Sequence, residues 1–156
     1  MKHRLEDACP LTVSCADIIT LATRDAVALS GGPWYEVPTG RRDGLVSNQT
    51  EVIMNLPSPN MTVVEAAQLF AAKGLTKQEM VTLLGAHTIG VAHCDTFRDR
   101  LEPSRDPTMD PHLYVDLVNK CKPKLGKDEP SVPLDQGTKS VFDNKFYRQI
   151  LEKKVF

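Results

Sequence analysis

Apolar residues recur at helical spacing along most of the chain, most clearly in the segment 76–90. This segment opens with Thr76-Lys77-Gln78-Glu79, a capping box in which a Thr hydroxyl and a Glu carboxylate satisfy free N–H groups of the first helical turn. The positions that follow at intervals of three and four share one helix face with a histidine at its end: Met80, Leu83, Leu84 and His87. Gly90 is predicted to end the segment, because glycine adopts the left-handed conformation without strain.

Two interpretations of His87 fit this pattern. In the first, His87 is a core histidine with one satisfied hydrogen bond. In the second, it is a neutral imidazole directed into an apolar slot, the arrangement of an axial haem ligand. Gly85 and Ala86 are small and would let a flat group approach the backbone there. The spacing alone does not choose between the two interpretations.

Capping signals predict helices on both sides of this segment. One helix is expected to begin after Ser14 and to stop before Gly31-Gly32-Pro33, and another begins with the capping box 62–65 and ends near Gly74. The segment 34–59 is expected to be mostly irregular, and the polar segment 122–133 is expected to be a loop. Few strand signals are present, so the fold class is mainly α.

Two more helices are predicted near the C-terminal end of the chain. Asp110 and Pro111 supply a cap and a first-turn proline for a helix that reaches about Lys120. Asp143 is expected to cap a last helix over 144–154. The residues of that helix predicted to face inward are Phe146, Ile150 and Leu151.

Composition narrows the classes of function. The chain has 156 residues and a net charge of −1, which argues against nucleic acid as an electrostatic partner. No apolar run approaches the roughly 20 residues of a membrane span. The start, MKHRLEDA, has no apolar core, so the printed chain carries no signal peptide. Its four cysteines suit disulfides, which a chain without a signal would not be expected to form. We therefore expect the true beginning of the protein to lie upstream.

Hard oxygen donors are concentrated in the segment 134–143. Asp135, Thr138 and Asp143 could gather around one cation, with a backbone carbonyl near Val141 completing the set. Calcium takes six to eight oxygens in flexible geometry, which suits such mixed ligands. The spacing is not that of an EF-hand loop, and an ordinary loop with two Asp caps is the alternative. If Thr88 joined this cation, metal binding would brace the segment that carries the histidine.

An ordered series of motifs resembles the plant secretory haem peroxidases, the class III family. The matching stretches cover nearly the whole chain in the order of the family: 13–17 (VSCAD), 29–33 (LSGGP), 37–38 (VP), 40–44 (GRRDG), 55–59 (NLPSP), 70–75 (FAAKGL), 84–90 (LGAHTIG), 99–101 (DRL), 106–110 (DPTMD) and 142–147 (FDNKFY). Each motif alone is weak, whereas the ordered set is specific.

The resemblance implies a fold and a reaction. The expected fold is the middle and proximal portion of the helical haem-peroxidase fold, with residues 1–156 forming a single partial domain. The expected activity is the oxidation of small phenolic donors by hydrogen peroxide with haem b and calcium as cofactors, in hydrogen peroxide removal and the response to oxidative stress. Members are usually monomeric and secreted or vacuolar, and the sequons at Asn48 and Asn60 agree weakly with secretion.

The resemblance also implies roles for individual residues. His87 matches the proximal ligand of the haem iron, and Pro57 matches the proline beside the entrance for reducing substrates. Cys94 and Cys121 match a disulfide pair. The positions that match ligands of the proximal calcium are Thr88, Asp135, Thr138 and Asp143, with the carbonyl of Val141.

Several family features are absent from the 156 residues. The Arg-x-x-Phe-His-type motif that supplies the distal Arg and His is missing, as are the distal calcium site and the cysteines expected to pair with Cys9 and Cys15. The Asp that hydrogen-bonds the proximal His is also missing, and Leu134 occupies the position of a proximal Phe. The chain is therefore expected to show little peroxidase turnover by itself. The alternative is a non-enzymatic haem- or calcium-binding remnant, or an interaction module.

Overall fold

The computed structural model describes residues 1–122 and 128–156, and these residues confirm a mainly α architecture. The helices found there are α1 (Lys2–Ala8), α2 (Cys15–Leu29), α3 (Gln49–Asn55), α4 (Val63–Ala72), α5 (Lys77–Leu84), α6 (Pro111–Lys120) and α7 (Lys145–Leu151). The strands are β1 (Val91–His93) and β2 (Ser131–Pro133), and two 3₁₀ segments cover Gly85–Thr88 and Cys94–Arg100. The chain divides into two compact units, Met1–Thr50 and Glu51–Phe156.

In the first unit, the start of α2 is held by polar contacts. Ser14 caps the helix as predicted, with its hydroxyl accepting a hydrogen bond from the backbone N–H of Asp17 at 3.1 Å. The two carboxylate oxygens of Asp43 accept from the N–H groups of Cys15 and Ala16 at 2.8 and 2.9 Å. These bonds lower the pKa of Asp43, since they favour the charged carboxylate.

The charged segment 40–44 is fixed onto α2 rather than simply solvated. The buried carboxylate of Asp17 accepts from the N–H of Gly40 at 2.8 Å and pairs with the Arg41 guanidinium at 3.1 Å. The Gly40 bond is the main cause of a lowered pKa for Asp17. Asp17 is therefore a buried partner of the segment 40–44.

The core of the second unit is built around a disulfide. Cys94 and Cys121 are bonded with their Cα atoms 5.6 Å apart, which ties the second 3₁₀ segment to the end of α6. Phe156 packs against this core, its ring 4.2 Å from that of Phe97. The buried members of the core are Cys94, Phe97, Leu101, Met109, Leu113, Leu117, Cys121 and Val132.

A short antiparallel sheet brings the two parts of the candidate site together. Ala92 of β1 pairs with Val132 of β2, and the register is continued by a hydrogen bond from the N–H of Leu134 to the carbonyl of Gly90 at 3.1 Å. Gly90 has φ +111°, the left-handed conformation predicted for it. Since Leu134 precedes Asp135, this pairing places the oxygen-rich segment beside the 3₁₀ segment that carries His87.

The local signals predicted several helix starts well. Both capping boxes, at Thr62 and Thr76, are present with reciprocal hydrogen bonds to Glu65 and Glu79. Asp110 caps α6 by accepting from two backbone N–H groups at 2.9 Å each. These contacts lie within a few residues of one another in sequence, so the sequence pattern reports them directly.

The predicted secondary structure was wrong in the segment 122–133 and in the last helix. The loop expected at 122–133 contains β2, and residues 123–127 of that range fall outside the described residues. The segment 34–59 is mostly irregular, as predicted, and contains the short helix α3. Helix α7 is shorter than the expected 144–154, and its Ile150 and Leu151 are 44% and 85% exposed rather than inward-facing. Gln149 is the buried residue of this helix, because the group that it meets is the polar side chain of Asp135.

None of the helices found in the described part of the chain combines the length and apolar character that a bilayer crossing requires.

Candidate functional site

His87 lies on the 3₁₀ segment that continues α5, and its side chain is exposed. The interpretation of His87 as a buried core residue is therefore wrong. The ring of Phe146 meets the imidazole edge-on, with centroids 5.7 Å apart and planes at 71°. Phe146 thus limits the orientation of the ring from one side.

The predicted apolar stripe on α5 divides into two faces. Met80 and Leu84 turn inward, whereas Leu83 is 54% exposed and lies one turn before His87. The winding changes from α to 3₁₀ between these two positions, and both side chains are exposed. This surface offers both a nitrogen donor and an apolar contact to a flat group.

Tyr147 of α7 occupies the space beside Gly85. Its hydroxyl donates to the carbonyl of Val81 at 2.9 Å and lies 3.2 Å from that of Thr82. The absence of a side chain at Gly85 does allow a close approach to the backbone, as expected, but the group that approaches there is the chain's own Tyr147.

The four side chains predicted to bind calcium lie together around Thr88 and Asp135, and Thr88 is the residue after His87. The fully buried hydroxyl of Thr88 lies 3.3 Å from Asp135 Oδ2 and 3.3 Å from Asp143 Oδ1. The hydroxyl of Thr138 lies 3.3 Å from the same Asp135 oxygen. Thr88 and the segment that supplies the other three residues are about 50 positions apart in sequence, and the β1–β2 pairing brings them together.

The carboxylate of Asp135 is fully buried and its two oxygens have different surroundings. Oδ1 accepts from the N–H groups of Gly137 at 2.7 Å and Thr138 at 2.9 Å, and from the side-chain amide of Gln149 at 2.7 Å. Burial alone raises the pKa of Asp135, but the N–H groups of Thr138 and Gly137 and the Gln149 amide outweigh it, so the pKa is lowered. Asp135 is thus a buried anion.

The oxygen cluster fits a hard cation. Oxygens that share a calcium ion at 2.3–2.6 Å lie about 3–3.6 Å from one another, which includes the 3.3 Å separations seen at Thr88 and Thr138. Hydroxyl–oxygen hydrogen bonds are normally shorter, about 2.5–3.0 Å. The described ranges contain no group of three or more His, Cys, Asp or Glu that could hold a metal. The candidate ligands in this cluster are therefore two carboxylates and two hydroxyls. That set favours calcium over softer metals.

The other predicted site residues lie elsewhere in the second unit. Pro57 is half-buried in the connection between α3 and α4. Val141 donates its N–H to the carbonyl of Thr138 at 2.8 Å, which closes the turn around the oxygen cluster. Sequence reasoning missed the contributions of Gln149 and Tyr147. The only signal was the polar character of Gln149, three positions after Phe146.

These features define a class: a mainly α protein whose candidate ligands are one exposed histidine and, next to it, a buried cluster of hard oxygen donors. The family model described as "Peroxidase" matches residues 1–156. The chain belongs to the peroxidase family, and its resemblance to the plant secretory members is confirmed by its relatives. Membership of this family implies haem as the cofactor.

The relatives are plant peroxidases. The chain is 51% identical to Peroxidase 44 of Arabidopsis thaliana over 154 residues. The aligned region covers 98% of the chain and 47% of the relative. It is 48% identical over 159 residues to Peroxidase 57 of the same plant, covering 99% and 49%. It is 43% identical over 158 residues to Peroxidase 5 of Vitis vinifera, covering 98% and 48%. The chain therefore spans about half the length of the curated relatives it matches.

Proposed function

We propose that this chain forms the proximal side of a plant secretory haem peroxidase, an enzyme that oxidises small phenolic donors with hydrogen peroxide. The observation that carries the proposal is the adjacency of His87 and Thr88. One is an exposed imidazole and the next residue is fully buried in the oxygen cluster. The family match over the whole chain supports the same conclusion.

In this proposal His87 would hold the haem iron through its imidazole. Haem b, when bound, supplies the redox chemistry by which peroxide is reduced. The chain's own part is to present a neutral imidazole nitrogen, to orient its ring with the edge of Phe146, and to offer apolar contact through Leu83.

Calcium is proposed to bind behind the histidine, through the side chains of Thr88, Asp135, Thr138 and Asp143 and the carbonyl of Val141. The buried, ionised carboxylate of Asp135 supplies charge that the cation would neutralise. Binding would restrain Thr88 and hence the 3₁₀ segment that carries His87. Reducing donors are proposed to approach near Pro57.

The protein is proposed to be secreted, to the extracellular space or the vacuole, and to act as a monomer. The buried Cys94–Cys121 disulfide supports an oxidising compartment. Both sequon asparagines, Asn48 and Asn60, are exposed and accessible to a glycan. Residues 1–156 are proposed to be one partial peroxidase domain.

By itself, the 156-residue chain is proposed to have little peroxidase turnover. Its sequence contains no Arg-x-x-Phe-His-type motif to take the proton from peroxide and to stabilise developing charge. The second candidate function, a non-enzymatic haem- or calcium-binding remnant or interaction module, is favoured by the exposure of the apolar side chains of Val81 and Leu83 on α5.

The test is a haem titration of the purified, oxidised chain read by the Soret band, beside His87→Ala and the matched control His112→Ala. His112 is exposed on α6, so its loss should not affect haem. A saturable shift that disappears only in His87→Ala supports the proposal. An equal shift in all three proteins would show that haem binds without this ligand. Guaiacol oxidation above the rate of free haem would contradict the low turnover.

A further inference from the structure

The side chain of Gln149 is 3% exposed and uses both ends of its amide. Its Nε2 donates to Asp135 Oδ1 at 2.7 Å, and its Oε1 accepts from the N–H of Gln136 at 3.0 Å. A carboxylate can only accept and a backbone N–H can only donate, so this pair of partners fixes the orientation of the amide. Gln149 thus connects α7 to the start of the oxygen-rich segment in one defined geometry.

The Gln149 bond completes the set of donors around one oxygen of Asp135. Oδ1 receives three N–H donors within 2.7–2.9 Å, from Gly137, Thr138 and Gln149. Within the described residues, the hydrogen-bond partners of Oδ2 are the hydroxyls of Thr88 and Thr138, both at 3.3 Å. Three short N–H contacts leave Oδ1 no lone pair for a metal, whereas Oδ2 remains available.

We propose that Gln149 is a positioning residue that makes Asp135 a one-oxygen calcium ligand through Oδ2. This inference rests on the calcium site of the proposed function. Gln149 does not itself contact the cation. It holds Oδ1 away from the ion and turns Oδ2 toward Thr88, the residue next to the histidine.

The packing around Gln149 supports a fixed role. A Cβ on Gly137 would lie 3.1 Å from Gln149 Nε2 and 3.0 Å from Lys145 Cε, so the backbone of this turn lies close against the amide. Phe146, three positions earlier on α7, contacts the ring of His87. Residues three apart lie on the same side of a helix. One face of α7 therefore contacts both the candidate calcium ligand and the candidate haem ligand.

The test compares the full 156-residue chain with Gln149→Met, which keeps the length of the side chain but removes the amide. Calcium affinity is measured by isothermal titration with calcium chloride. Loss of a partner that orients a metal ligand typically weakens affinity about 10–100-fold, and we expect a loss in this range. The matched control is Gln78→Met on the exposed surface of α5, which should leave the affinity unchanged.

A second readout separates positioning from simple stability. Calcium-induced infrared difference spectra report whether a carboxylate binds through one oxygen or two, from the separation of its two stretching bands. We expect a one-oxygen signature in the unsubstituted chain and a change toward two-oxygen binding in Gln149→Met. If Gln149→Met does not fold, Gln149→Asn takes its place, because its amide is one methylene too short to reach both partners.

The outcomes distinguish the inference from the proposed function. Absence of saturable calcium binding by the unsubstituted chain would overturn the calcium site and this inference together. Normal binding by that chain, with the same affinity and the same infrared bands in the Gln149 variant, would overturn the inference alone. Weaker binding with changed bands supports it.

Discussion

The hydroxyl of Tyr147 lies directly over Gly85, so close that an added Cβ would be 2.1 Å from it and 2.6 Å from the ring carbon Cζ. Gly85 has a helical backbone, with φ −60° and ψ −17°. At such a position Gly→Ala normally stabilises a protein by about 0.4–1 kcal/mol. That gain is not available at Gly85, because Tyr147 fills the space above it where α7 packs against the end of α5.

Gly85→Ala is therefore expected to lower the free energy of unfolding by about 1–3 kcal/mol, because the ring of Tyr147 must move. The measurement is urea denaturation followed by circular dichroism. In a Tyr147→Leu background the same substitution should become neutral or stabilising, since Leu does not reach the space over Gly85. Equal effects of Gly85→Ala in both backgrounds would show that the two residues are not coupled.

The Cys94–Cys121 disulfide closes a loop of 27 positions. Chain entropy predicts that the double substitution to Ser lowers the free energy of unfolding by roughly 3–4 kcal/mol. The comparison is with Cys9→Ser and Cys15→Ser, which remove free thiols. A loss below about 1 kcal/mol would argue that the reduced chain already holds the loop closed.

Leu117 is completely buried in the core of the second unit. Leu117→Ala should cost about 2–5 kcal/mol of unfolding free energy, because it removes apolar contact and leaves a cavity. Leu151→Ala is the matched control on α7, where the side chain is exposed, and should change stability by less than about 0.5 kcal/mol. Similar losses at both positions would mean that Leu151 is covered in solution.

The free energy of unfolding of the second unit is expected to depend on pH through Asp106. Its carboxylate accepts from the hydroxyl and the N–H of Thr108 at 2.6 and 2.7 Å and pairs with Arg100 at 2.9 Å. The Thr108 hydroxyl is the largest cause of a pKa lowered from 3.8 to about 2. A lowered folded-state pKa stabilises the fold above the ordinary pKa, and that stabilisation is lost as the pH falls through the folded value.

The stability difference between the unsubstituted chain and Asp106→Asn should therefore shrink between about pH 4 and pH 2. Urea midpoints measured across this range provide the check, with Asp116→Asn as a control for an exposed pair on α6. If the stability difference stayed constant with pH, Asp106 would stabilise the fold through its packing and not through its negative charge.

The sequence predicted the structural features that depend on interactions between residues close together in the chain. The caps at Ser14, Thr62 and Thr76 follow from side chains that bond their own helix starts, so no tertiary information was needed. The position of Gln149 could not be predicted in this way. An isolated α7 has no reason to bury an amide, and the reason is Asp135, which the chain brings there through strand pairing.

The exposure of His87 could not be predicted from neighbouring residues either. Apolar spacing placed it with Met80 on one helix face, but α5 ends at Leu84 and the chain tightens into a 3₁₀ turn. The change of winding redirects each following side chain. The spacing left the core and ligand interpretations open, and the ordered motifs of the family resemblance favoured the ligand role, which the haem titration will test.

The tight winding of Gly85–Thr88 has a mechanical consequence. A 3₁₀ helix has three residues per turn, so successive side chains leave its axis about 120° apart, and positions three apart point the same way. Gly85 and Thr88 are accordingly both buried, while His87 points outward. The direction in which the Cα–Cβ bond of His87 leaves the segment therefore follows the angle at which Thr88 is held. Because no residue separates the two, a rotation of Thr88 about the axis of this segment would turn the Cα–Cβ bond of His87 with it.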